Sequence, residues 1–259
     1  MNISITGPGV YFTIPILGGI RISQTAVALL AVTILLIVGA FIVTRRIEKR
    51  PGRLQVVIEK LVTMLYNLVE STMGKHNLKF APYIGALFLS SLFGSLIGLT
   101  QIFRSTTGDL SVTLAWALAT TGMVWYCNIK NFGFKAWLKG FTEPIAVMTP
   151  MNIVSEIANP ISMAFRHFGN VAGGSVLMSV IYAALAALSS VIFGWIPGLI
   201  GTIPFFQVGI PAVLSIYFDL FSGFVQAFVF CLLTMIYVGA ANPPAEELPA
   251  RNKKSKKQK

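Results

Sequence analysis

Acidic residues are scarce in this chain: nine Asp and Glu stand among 259 residues, and charged residues of either sign make up 11%. A soluble domain needs more polar surface than that, and with 55% hydrophobic residues and a mean hydropathy of +0.75 the composition is that of an integral membrane protein. Cysteine is nearly absent: Cys127 and Cys231, each inside an apolar stretch, are too few and too isolated for a disulfide framework or a zinc site. Both read as small packing residues. P-loop, HExxH, GxSxG and GxGxxG patterns are missing, so any nucleotide chemistry must reside on another chain, and neither a cofactor nor a metal is expected. Twenty Lys and Arg give a net charge of +11, but they flank apolar segments and line no polar face, which excludes nucleic acid as the partner and points to lipid.

Long hydrophobic runs supply what the charges do not. Residues 25–44, 81–100 and 110–129 are each long enough to cross about 30 Å of hydrocarbon. Between the first two, residues 54–74 repeat apolar positions at three and four spacing around Glu59, Lys60, Asn67 and Glu70, the pattern of an amphipathic helix on the membrane surface or against a partner. Ser90, Gly94 and Gly98 recur every four residues and suit close helix packing. Two further stretches, about 150–193 and 206–241, are roughly twice the length a crossing needs at ~1.5 Å per residue. They must be steeply tilted or broken, with Pro160 and Gly169 as candidate weak points. The expected fold is all-α: about five transmembrane helices, one amphipathic surface helix and a long, tilted C-terminal pair.

Three regions follow from this reading. Residues 1–24 form an extracytoplasmic segment without the basic start of a cleaved leader, 25–241 a single membrane domain, and 242–259 a basic cytoplasmic tail. Orientation comes from the basic residues: the loop 45–79 holds eight, 130–141 three and the tail six, against Arg21 and Arg104 on the other side. That split puts the N-terminus outside and the C-terminus in the cytoplasm.

Glu156, Arg166 and Asp219 are the ionisable residues well inside the last two stretches, with His167 beside the arginine. A mid-membrane arginine costs about 2.5–3.5 kcal/mol on insertion scales, so it has a purpose. One reading is a structural ion pair with Asp219 or Glu156; the other is an ion pathway. If the two spans form a hairpin, Arg166 and Gln226 lie at similar depth. Asp219, seven residues or two helical turns before Gln226, then shares a face with it and sits ~10 Å further out, and Glu156 lies ~15 Å towards the cytoplasm. An outer acceptor, a central cation and an inner acceptor suit two aqueous half-channels that do not meet, bridged by a passing carboxylate whose pKa falls beside Arg166.

These residues resemble a known family. "NPISMAFRHFGNVAGG" (159–174) is similar to the Pro-Leu-Ser-Leu-x-x-Arg-Leu-Phe-Gly-Asn-x-x-Ala-Gly segment of subunit a of F-type ATP synthases, and "LFSGFVQAFVFCLLTMIYVGAA" (220–241) to that family's last helix. "TTGDLSVTLAWAL" (106–118) and "EPIAVMTPMNIVSEIANP" (143–160) resemble two further segments, so the likeness runs over residues 25–241 in order. The resemblance implies a stationary channel subunit of the F0 sector that passes protons or sodium ions to and from a rotating c-subunit ring. The implied neighbours are a peripheral stalk of b subunits and, indirectly, the F1 catalytic sector; the chain alone is not expected to hydrolyse ATP. It also implies that Arg166 faces the ring carboxylate, that Asn170 and Gln226 support it, that Glu156 serves the cytoplasmic side, and that Asp219 and Asp109 serve the outer one. His167 stands where the family usually carries leucine, and a packing or lipid-interface role is expected of it ahead of proton relay. Ser175 stands where many members carry glutamate. A stand-alone secondary transporter is the alternative, but it predicts inverted repeats, and the halves share no internal similarity.

Overall fold

The computed structural model describes residues 9–14, 20–45, 47–49, 51–100, 103, 105–143, 145–193, 214, 216–244 and 246. The basic tail from residue 247 onwards, Arg104 and residues 206–213 of the last expected apolar stretch lie outside them. Among the described residues seven α-helices carry the fold: α1 (Gln24–Arg45), α2 (Arg53–Met73), α3 (Ala81–Leu96), α4 (Leu110–Phe132), α5 (Phe134–Gly140), α6 (Thr149–Phe193) and α7 (Gly223–Ala241). Five helical segments are long and apolar enough to cross a membrane, and α2 is the amphipathic one. The all-α architecture stands, with one addition. The N-terminal segment carries a short antiparallel pair, β1 (Val10–Ile14) and β2 (Ile20–Ser23), in register Thr13↔Arg21 with an irregularity between Val10 and Phe12.

The expected weak points do not break α6. It runs unbroken for 45 residues through both Pro160 and Gly169, about 68 Å at 1.5 Å per residue. Only a steep inclination keeps so long an apolar helix within a 30 Å core. Pro160 is buried against neighbouring helices, the setting in which a membrane helix tolerates the lost N–H. The last stretch departs from regular geometry instead. Ile216–Ser222 is a π-helical turn leading into α7, so the residues between Asp219 and Gln226 do not make two α-turns and the shared face expected from that spacing does not follow.

The core lies where α3, α4, α6 and α7 converge. Ile84 and Leu87 of α3 pack with Val69 and Met73 of α2, Ala117 of α4, Met163 and Ala164 of α6, and Phe230, Met235 and Val238 of α7. Cys127 and Cys231 are both buried and, among the described residues, neither forms a disulfide, as small packing residues should. By contrast α1 fully buries Thr25, Ala28 and Val32 among the described residues, and its second half exposes Ile34, Ile37, Val38 and Phe41.

Small residues at the end of α3 and in the 3-10 turn Ile97–Thr100 that follows it admit more than a neighbouring helix. Gly94 and Gly98 face the turn Ser105–Gly108: a methyl at Gly94 would overlap Thr106 Oγ1, and one at Gly98 would lie 3.0 Å from Ser105 Cβ. Thr106 is fully buried and has nowhere to swing. Gly94→Ala is therefore expected to lower the thermal midpoint of the purified complex, by a destabilisation of about 1–3 kcal/mol. An unchanged midpoint would mean the contact relaxes freely.

Amides close the basic end of the bundle. Asn131 of α4 donates to Ala241 O (2.9 Å) and to Asn242 Oδ1 (2.7 Å), Asn242 Nδ2 donates to Asn77 Oδ1, and His76 Nε2 donates to Asn242 O (2.8 Å). All three asparagines are buried, and their donors and acceptors match, so the cluster fastens the end of α7 to α4 and to the segment after α2.

Candidate functional site

Helix α6 has two sides. Met163, Ala164 and His167 point into the core, whereas Ser162, Arg166, Gly169, Asn170 and Gly173 are exposed. Four-residue spacing puts Ser162, Arg166 and Asn170 one above another, and among the described residues nothing lies within 4 Å of where a Cβ would stand at Gly169 or Gly173. The result is a strip of small residues around one guanidinium. The ion pairs among the described residues are Lys75–Glu70 and Lys139–Glu143, and neither involves Arg166. The expected alternative of a structural pair with Glu156 is thus not formed; the Asp219 side chain lies outside the described residues.

Glu156 is engaged elsewhere. Its Oε1 accepts from Trp125 Nε1 of α4, and it lines a cavity of about 320 Å³ between α4, α6 and α7 together with Thr120, Asn128, Asn159 and Tyr237. The intact helix keeps it ten residues, ~15 Å, from Arg166. Gln226 is half-buried near the start of α7, which packs against α6. Asp109 caps α4: its Oδ1 accepts from Ser111 N (2.9 Å) and its Oδ2 from Thr25 Oγ1 (2.5 Å), tying the starts of α1 and α4 together. Ser175 is exposed, with its hydroxyl given to Ala172 O of its own helix.

His167 is not a lipid-interface residue. It is 1% exposed, bonded through Nε2 to Ser91 Oγ at 3.1 Å, and set edge-on to Trp116 and Phe230 at ring distances of 6.2 and 5.5 Å. Sequence reasoning missed its neighbours. Ser91 belongs to a buried hydroxyl seam in which Ser95 donates to Ser91 O (3.0 Å) and pairs with Thr107 (2.9 Å), which in turn pairs with Ser105 (2.9 Å). The signal was the run of serines inside an apolar span, which spacing alone assigned to packing.

Related chains are known by sequence. The family described as ATP synthase A chain matches residues 25–239. The chain is 31% identical over 223 residues to "ATP synthase subunit a 1" of Crocosphaera subtropica, covering 85% of this chain and 87% of that protein. It is 32% identical over 220 residues to "ATP synthase subunit a, sodium ion specific" of Propionigenium modestum (79% and 69%), and 31% identical over 241 residues to "ATP synthase subunit a" of Bacillus subtilis (88% and 95%). The apolar spans, the arginine strip and a match over most of the length converge: the chain belongs to the ATP synthase A chain family, the membrane subunit of the F-type ATP synthase that translocates ions in the F0 sector and is not catalytic by itself.

Proposed function

We propose that the exposed strip of α6 around Arg166 is the face on which a ring of c subunits turns, and that Arg166 is the barrier between two half-channels. The observation that carries this is a full positive charge, without an ion-pair partner among the described residues, on a strip of residues small enough for a partner helix to approach. A carboxylate brought beside the guanidinium is favoured in its ionised form and releases its ion; carried round to face lipid it is neutral. Asn170 and Gln226 offer polar contacts beside that exchange point. On the cytoplasmic side the ion leaves past Glu156 and the cavity it lines; Asp219 and Asp109 serve the outer approach, with Ser175 beside it. Asp109 has both carboxylate oxygens occupied by Thr25 and Ser111, so its part is to hold the mouth of that approach in shape.

The distribution of Lys and Arg supports an outer N-terminus and a cytoplasmic C-terminus in a bacterial cell membrane, with residues 25–241 as one membrane domain between an outer segment and a basic tail. The nearly all-exposed second half of α1 suits contact with b subunits of the peripheral stalk, through which the F1 sector is reached. The ion, proton or sodium, is selected at the carboxylate of the partner, since this chain contributes the cation and the passages.

Cross-linking tests the docking face. The two native cysteines are buried, so a cysteine placed at Ser162 or Gly173 reports on its own position. Paired with a cysteine next to the c-subunit carboxylate, each should form a disulfide on mild oxidation, whereas one at Leu118, on the exposed side of α4, should not. Cross-links from Leu118 and none from α6 would place the ring on another face.

A further inference from the structure

Arg166 and His167 are consecutive, and helical geometry turns them about 100° apart. One is exposed and the other sits in the core. Whatever fixes the imidazole therefore fixes the rotation of α6 about its axis, and with it the direction of the guanidinium. Three helices fix it: Ser91 of α3 by a hydrogen bond, Trp116 of α4 by an edge-on ring contact, and Phe230 of α7 by another. Gln226, one turn before Phe230, brings its main chain close to the ring, though not into hydrogen-bond geometry. Ser91 is itself anchored by the seam through Ser95 and Thr107.

Stability alone does not call for histidine here. Among the described residues its buried Nδ1 has no partner in good hydrogen-bond geometry, the Gln226 main chain being the neighbour beside the ring, and a poorly satisfied buried polar atom costs up to about 1–3 kcal/mol that an apolar side chain of similar size would not. Apolar contacts are non-directional and let helices slide, whereas a hydrogen bond has a narrow range of distance and angle. A single polar group in an apolar core can set helix register at a cost in stability. We propose that His167 is a positioning residue that fixes the rotation of α6 and its register against α7, so that Arg166 and Gln226 are presented to the partner together. The role rests on the assignment of Arg166 as the barrier.

Its test measures ATP-driven ion uptake per ATP hydrolysed in the whole complex in liposomes, normalised to assembled complex. His167→Leu should lower that ratio roughly three- to tenfold, since sites need their groups held within about 0.5 Å. His167→Gln, whose side-chain amide reaches the position of Nε2, should recover most of it. Ser91→Ala should act in the same direction, and the Ser91→Ala/His167→Leu pair should be no worse than His167→Leu alone, as expected of one shared contact. A residue that only fills space would change the yield of complex and leave ions per ATP untouched. A wild-type ratio in His167→Leu, or additive losses in the pair, overturns the proposal while Arg166→Ala still shows no uptake. If His167→Leu does not assemble, Ser91→Ala decides: a wild-type ratio there overturns it. Uptake retained in Arg166→Ala removes the barrier assignment and the role of His167 with it.

Discussion

With Arg166 replaced by alanine, ATP-driven ion uptake should fall to background while the complex remains assembled. Two observations separate function from folding here. The Arg166 side chain is exposed on α6 and has no ion-pair partner among the described residues, so its removal leaves no buried charge orphaned. Substitutions at such positions are usually within about 0.5 kcal/mol of neutral. On the proposed role of Arg166 the functional loss should be total, because two things would vanish at once: the field that holds a passing carboxylate ionised, and the fixed cation that stops an ion crossing directly between half-channels. Each charge moved through 100 mV represents about 2.3 kcal/mol, so even a small direct leak dissipates the gradient that rotation should use. Arg166→Lys keeps the charge but not the planar fork, and is expected to recover part of the assembly-independent signal at most. The measurement is fluorescence quenching in inverted vesicles for protons, or labelled-sodium uptake for sodium, with hydrolysis followed in parallel. Coupled uptake in Arg166→Ala would show that the barrier lies elsewhere.

Hydropathy makes some of this legible in the letters and hides the rest. Spans expected at 25–44 and 110–129 emerge as Gln24–Arg45 and Leu110–Phe132, because a run of apolar residues closed by charge leaves little choice of ends. The amphipathic helix at 54–74 is Arg53–Met73 for the same kind of reason, a period of 3.6 with charges on one side. Arg166 is legible too, since a charge in lipid has few bland explanations. Tertiary convergence is not legible. The place of His167 depends on Ser91, Trp116 and Phe230, which are 76, 51 and 63 residues away in sequence and come together only when four helices pack. Asn77, Asn131 and Asn242 look like loop polarity near span ends until each is seen to satisfy the next. Pro160 misleads because local cost predicts a break, while neighbouring helices stabilise the intact one. The π-turn at Ile216–Ser222 is a change of hydrogen-bond register that an apolar run does not encode.

Gly173→Leu should be the second most damaging substitution, for a reason outside the chain. Within α6 it ought to help: nothing stands within 4 Å of the new Cβ among the described residues, and glycine in a helix interior is about 1 kcal/mol worse than alanine, with leucine close behind alanine. The chain should fold and insert at least as well as before. If a partner helix slides along the strip, however, a leucine one turn beyond Gly169 intrudes where only a hydrogen was. Overpacking costs about 1–3 kcal/mol, which corresponds to a loss of roughly five- to 150-fold in association with the ring. A graded series follows from the same geometry, with Ala mild, Val intermediate and Leu severe, read as ions pumped per assembled complex and as ring recovered with the subunit on purification. Gly122 on α4 is the matched control, since it too is exposed with nothing within 4 Å, and Gly122→Leu should leave pumping unchanged. Equal effects at the two glycines would mean that bulk on any outer face disturbs the protein, and the α6 strip would lose its claim to be the surface on which the ring turns.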